Sequence, residues 1–182
     1  MKKIITSLIY ILFIINQSFA DDRKDELNKL FKELKIKNSV VTFEIEQKIW
    51  KIWSTHPEKN DLTSLLAKGS NLVNQNKLYE AEAIFTKVIK LDPNWAEAWN
   101  KRATVLYLLG EFQKSQNDMD KVLELEERHF GALAGQGLVN IQLKNYEKAI
   151  MSYKKVQEIY PTMKSPKIMI KEINELIKQQ SI

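Results

Sequence analysis

The sequence predicts an all-α fold: a solenoid of stacked helical hairpins, about three repeats long, preceded by a helical pair and closed by a C-terminal helix. Three observations lead there. Gly69 and Gly137, Ala81 and Ala149, Phe85 and Tyr153, and Pro93 and Pro161 each stand 68 residues apart, two periods of 34. Four agreements in one register make a repeat, and 34 residues suit two helices of three to four turns with short connections. The flanks show the helical period directly, with Leu27, Leu30, Phe31 and Leu34 before the repeats and Ile170, Ile173 and Ile177 after them. The chain of 182 residues is 44% apolar and 28% charged, a composition that argues for a folded domain with a continuous core.

The elements follow in order. Met1-Lys2-Lys3, the apolar run Ile4 to Ile15 and the small residues of Ser18-Phe19-Ala20 have the three parts of a secretory signal peptide, with cleavage expected after Ala20. The apolar core of 12 residues falls short of the roughly 20 a membrane-crossing helix needs. A periplasmic or secreted bacterial protein is expected; the alternative is an uncleaved N-terminal membrane anchor. With no cysteine, disulfides and lipid attachment through an N-terminal Cys are excluded. From Asp21 to Ile36 acids lead and lysines trail, as the helix dipole favours, and a second helix is expected from about Thr42 to Ser54 with Ile45, Ile49, Ile52 and Trp53 on one face. Residues 55–60, with Pro57, read as a linker. The pair spanning 21–61 does not thread onto the 34-residue pattern, so it is expected to cap the open end of the array.

Repeats are expected over 62–95, 96–129 and 130–163, with helices at 62–74, 78–91, 96–109, 112–125, 130–143 and 146–159. Small residues at 69, 103 and 137 and at 81, 115 and 149 let paired helices approach, and Phe85, Met119 and Tyr153 fill the space between hairpins. Pro93 and Pro161 end second helices by removing an amide donor. Ser165-Pro166 opens a last helix to about Gln180, the C-terminal cap within 164–182.

These residues resemble the tetratricopeptide repeat (TPR) family. The agreement lies in Leu65, Gly69, Ala81, Phe85 and Pro93, then Trp99, Arg102 and Ala103, then Gly137, Ala149, Tyr153 and Pro161. The middle repeat departs, with Ser115 for Ala, Met119 for an aromatic and Glu127 for Pro. The stretches AEAWNKRAT (96–104) and RHFGAL (128–133) also look like those of small exported alphaproteobacterial repeat proteins. The resemblance implies a superhelix whose first helices line a concave groove that binds proteins or peptides. It also implies that Asp118 faces Arg102 as an ion pair within the hairpin.

Chemistry has little support. His56 and His129 are the two histidines and belong to different hairpins, so neither a metal site nor a catalytic triad is expected, no cofactor is called for, and the chain does not read as an enzyme. The net charge of +5 becomes +3 once Lys2 and Lys3 leave with residues 1–20, and lysines alternate with acids, which argues against nucleic acid. Function is therefore expected in the groove. With Trp99, Arg102, Ala103 and Leu106 turned to the core, Glu97, Asn100, Lys101, Thr104 and Tyr107 share the opposite face of their helix. Arg128 and His129, at the turn into the next first helix, join them as candidate protein contacts. Thr63, Leu66, Ser70 and Val73, and Gly131, Ala134, Gly135, Leu138 and Ile141, hold the matching positions on either side. The groove positions at which chaperone-docking members of the family carry a carboxylate clamp are filled here by Leu66, Ser70, Gly131 and Gly135. Gly135, inside a helix, suggests clearance for a ligand backbone. The reading is an exported scaffold for a protein or peptide partner, with self-association through the capping helices as the alternative.

Overall fold

The computed structural model describes residues 22–35 and 39–180; the expected signal peptide lies outside them. Among the described residues are nine helices and no strand. They are α1 (22–34), α2 (Ser39–Ser54), α3 (Asn60–Asn74), α4 (Leu78–Leu91), α5 (Ala96–Leu108), α6 (Phe112–Leu125), α7 (Phe130–Gln142), α8 (Tyr146–Ile159) and α9 (Ser165–Gln180). Hairpins α3–α4, α5–α6 and α7–α8 stack in chain order, and α9 closes the far end by burying Ile173 against Ala149 and Tyr153.

The 34-residue period has a physical cause in each hairpin. A Cβ added to Gly69 would lie 2.4 Å from the Phe85 ring, and one added to Gly137 would lie 2.6 Å from the Tyr153 ring. Each aromatic thus lies on bare backbone of its partner helix, and burial pushes the Tyr153 phenol up to about 12. In the middle hairpin the same place holds Ala103, and Ser115 Oγ donates to its carbonyl at 2.7 Å. Hairpin turns repeat as well: Asn76, Gly110 and Lys144, 34 apart, all have positive φ, at 57°, 78° and 59°.

Between hairpins the chain ends α4 and α6 in an extended residue, Asp92 or Glu126, and α8 in Tyr160, whose amide still bonds the Val156 carbonyl. Asp92 Oδ1 accepts the Asn94 amide at 2.9 Å and Glu126 Oε1 accepts the Arg128 amide at 3.1 Å. The middle turn therefore holds its shape with Glu127 in the proline position.

The N-terminal pair has the helices expected of it but not the place. Its apolar face, Leu27, Leu30, Phe31, Leu34, Ile45, Ile49 and Trp53, shares one core with Phe130, Leu133, Val156 and Tyr160 of the third repeat. Helix α2 runs back along the row of inter-hairpin turns. Thr42 and Glu46 meet Tyr160, Trp50 and Trp53 meet His129 and Phe130, and beyond the helix His56 meets Asp92. The pair braces the array from the side instead of capping its first hairpin. The reason is aromatic: Trp50 and Trp53 find their partners at the start of α7, two hairpins away.

Candidate functional site

First helices α3, α5 and α7 line the concave face, and α2 covers the N-terminal turns of α5 and α7. A Cβ on Gly131 would meet the Trp50 indole at 2.5 Å, so glycine in the first turn of α7 makes room for that ring. Trp53 stacks on His129, with ring centroids 3.9 Å apart and planes at 10°, while Phe130 lies 5.1 Å from it at 49°. The Trp53 carbonyl accepts the Trp95 indole N–H at 2.8 Å, tying α2 to the turn before α5.

Beneath this aromatic layer lies a buried polar cluster. His129 Nδ1 accepts the Ala132 amide at 3.1 Å and caps α7, which leaves Nε2 to donate to Glu97 Oε2 at 3.1 Å. Asn100 donates to the same oxygen at 2.9 Å, and Lys101 Nζ lies 3.1 Å from Glu97 Oε1 and 5.9 Å from the Trp50 ring. Burial pushes the Glu97 carboxyl up, but the His129 hydrogen bond and the Lys101 ammonium outweigh it and hold the group below the ordinary carboxylate range. His56 repeats the design: Nδ1 accepts the Glu58 and Lys59 amides at the start of α3, and Nε2 donates to Asp92 Oδ2 at 2.8 Å.

The candidate contacts therefore divide. Glu97, Asn100 and His129 are buried at 1%, 6% and 0% exposure and hold the fold together, so they are withdrawn as partner contacts. Helical periodicity places Glu97 and Asn100 on the concave face, but it carries no signal of what covers that face. Arg128 is half-buried: its guanidinium pairs with Glu126, donates to Asn28 at 2.8 Å and lies 4.4 Å from the Phe31 ring, so it fastens α1 to the array. Lys101 is half-exposed but engaged with Glu97. Thr104 is exposed and Tyr107 half-exposed, and they belong to the open half of the face with Ser70, Val73, Leu138 and Ile141. Leu108 and Leu138 are 51% and 39% exposed there, and sequence reasoning left Leu108 out. Gly135 gives clearance to Met119, whose Sδ and Cε would lie 2.6 and 2.3 Å from an added Cβ, and not to a ligand.

Arg102 and Asp118 form a two-pronged ion pair across the middle hairpin, Nε–Oδ2 at 2.7 Å and Nη2–Oδ1 at 2.8 Å. Thr86 accepts from Nη1 at 3.2 Å and the Trp99 ring lies 5.0 Å from the guanidinium carbon. The Asp118 hydrogen bonds raise the Arg102 pKa further. Among the described residues, no group of three His, Asp or Glu is placed to hold a metal ion.

Two family models, each described as tetratricopeptide repeat, match residues 66–115 and 131–163. The hairpins are tetratricopeptide repeats. A TPR repeat-containing protein of Rhizobium etli is 37% identical over 75 residues, 41% of this chain and 37% of that protein. Hsp70-Hsp90 organizing protein 1 of Glycine max is 32% identical over 87 residues, 48% of this chain and 15% of its own. The chain thus spans little more than a third, or less, of these curated relatives. Among solved structures, the first TPR domain of Spaghetti (RPAP3), bound to an HSP90 peptide, matches with a TM-score of 0.63 at 23% identity, covering 64% of this chain and 93% of that one. The Sgt2 TPR domain of Aspergillus fumigatus matches with a TM-score of 0.64 at 16% identity, covering 68% and 83%. At these identities the solved structures show the fold alone. It is an all-α TPR solenoid.

Proposed function

We propose that this protein is an exported, non-catalytic TPR scaffold that binds a protein or peptide segment through the open half of its concave face. The observation that carries the reading is the row of half-exposed and exposed side chains on α5 and α7, Thr104, Tyr107, Leu108, Leu138 and Ile141, beside the N-terminal turns that α2 already covers. A peptide laid there meets three apolar residues and an aromatic with a polar tip, the mixture that peptide grooves present. Lys101 is neutralised by Glu97, which favours a segment that does not depend on an acidic terminus. The absence of catalysis is supported by the histidines, both of which are committed to helix starts and carboxylates.

Photo-crosslinking tests the site. A benzophenone amino acid at Tyr107 or Leu138 should give the same protein adduct, and one at Tyr79 on α4, 77% exposed, should give none. Adducts from Tyr79 alone would move binding off the groove. Export is supported by the charged start, short apolar run and Ser-Phe-Ala site. Intact-mass measurement of the envelope fraction should find a chain beginning at Asp21; full-length protein in the cytoplasm overturns that part. Self-association has one specific support, the exposure of Ile168 and Leu176 on α9, at 54% and 38%. Light scattering over a concentration series should show growth in mass if it occurs, and a constant monomer removes it.

A further inference from the structure

A second cleft lies on the side of α7 opposite Leu138, between α6 and α8, with a volume of about 440 Å³. Its floor departs from the repeat. The register position filled by Leu72 and Leu106 in the first two hairpins holds Asn140 in the third, at 3% exposure. One hydrogen-bonded chain crosses three helices here. Ser152 Oγ donates to Gln136 Oε1 at 2.8 Å, Gln136 and Gln116 both donate to Asp120 Oδ1 at 2.8 Å, and Asn140 donates to Gln116 Oε1 at 3.0 Å.

Only Asn140 and Ser152 of this hydrogen-bonded chain are buried, while Gln116 and Gln136 are half-exposed and Asp120 is exposed. At Asn140 an amide thus takes the place where Leu106 packs in the second hairpin, and a buried amide is at best break-even against a packed apolar side chain. What the exchange yields is a cleft lined with groups that both donate and accept. Asp120 uses Oδ1 alone in these bonds, and the exposed side chains of Lys148 and Lys155 stand at the rim. Met151, 60% exposed, supplies an apolar wall.

We propose that this cleft binds a neutral sugar residue, alone or at the end of an oligosaccharide. Each sugar hydroxyl donates and accepts, matching side-chain amides and a free carboxylate oxygen, while the C–H face of the ring suits Met151. Asp120 opposes an anion and the two lysines oppose a cation. The volume lies within the range of small-ligand sites, about 300–1,000 Å³. This binding is independent of the concave face.

The test is a heteronuclear NMR titration of the chain with glucose, N-acetylglucosamine, cellobiose and chitobiose, each up to about 20 mM, a range that captures weak sites. At least one probe should give saturable shifts in the side-chain amides of Gln116, Gln136 and Asn140. Asp120→Ala, at an exposed position, should weaken that binding at least about tenfold. Asn140→Leu should abolish it while unfolding at the same or a higher denaturant concentration. No saturable shift with any probe, binding that survives both substitutions, or earlier unfolding of Asn140→Leu would overturn the proposal; the last would make the network structural.

Discussion

Trp53→Ala tests the lateral brace. Trp53 is 5% exposed, stacked on His129 and in contact with Trp50, Phe31 and Phe130. Its indole N–H has no acceptor among the described residues, and its carbonyl bond to Trp95 survives the substitution. The loss is therefore one of packing, about 3–5 kcal/mol for a buried Trp cut to Ala. In a domain of this size, 1 kcal/mol shifts Tm by roughly 2–4 °C, so the expected fall is about 6–20 °C. Phe43→Ala is the control on the same helix: Phe43 is 62% exposed, and its removal should cost under about 0.5 kcal/mol. Urea unfolding followed by circular dichroism reads both. Equal costs, or a Trp53→Ala cost below about 1 kcal/mol, would refute the docking of α2 along the turns.

Other perturbations isolate single contacts. Asp118→Ala leaves the Arg102 guanidinium, 19% exposed in its side chain, with Thr86 alone, and should cost about 2–4 kcal/mol in urea unfolding; a neutral result would mean the pair is absent in solution. Because Glu97 is held below the ordinary carboxylate range, its contribution to stability is full above that range and is lost as pH falls through the lower folded value. The stability difference between wild type and Glu97→Gln, measured by urea midpoints from about pH 7 to 3, should accordingly shrink in acid; a difference that grows would reverse the assignment. Gly137→Ala should destabilise by about 1–3 kcal/mol, since its Cβ meets the Tyr153 ring, whereas Gly135→Ala meets only the flexible end of Met119 and should cost less. Equal thermal shifts for the two glycines would contradict that distinction.

Helices and repeat register were legible because they depend on local patterning. Glycine faces an aromatic sixteen residues on in two hairpins, and that spacing is written in the chain as Gly69 with Phe85 and Gly137 with Tyr153. The site was legible only in part. An apolar stripe on α2 states that it must be buried, not against what, and a polar face on α5 does not announce that half of it is covered. Trp50 and Gly131 are 81 residues apart and share no period, so their fit was beyond pattern reading. Glu97 and His129 looked like groove residues for the same reason: each is polar, and the partner that buries each lies far along the chain.

The departures from the repeat tell more about this molecule than the agreements do. Agreement records what every hairpin needs to stack on the next. Ser115 departs and bonds the Ala103 carbonyl, and Met119 departs and reaches across to Gly135 of the following hairpin. Where the middle turn lacks proline, Glu126 holds the Arg128 amide instead, and Arg128 extends to Asn28 and Phe31 of α1. Ser115 keeps its partner inside the hairpin, but Met119 reaches a neighbouring repeat and Arg128 reaches the brace that belongs to none. By the same logic Gln136 and Asn140, polar where the second hairpin has Arg102 paired and Leu106 buried, mark a surface that stacking alone does not require. An array of nearest-neighbour units would tolerate three interchangeable hairpins. This chain has made its second and third hairpins distinct, and the distinct residues lie where α1, α2 and the cleft beside α7 meet the array.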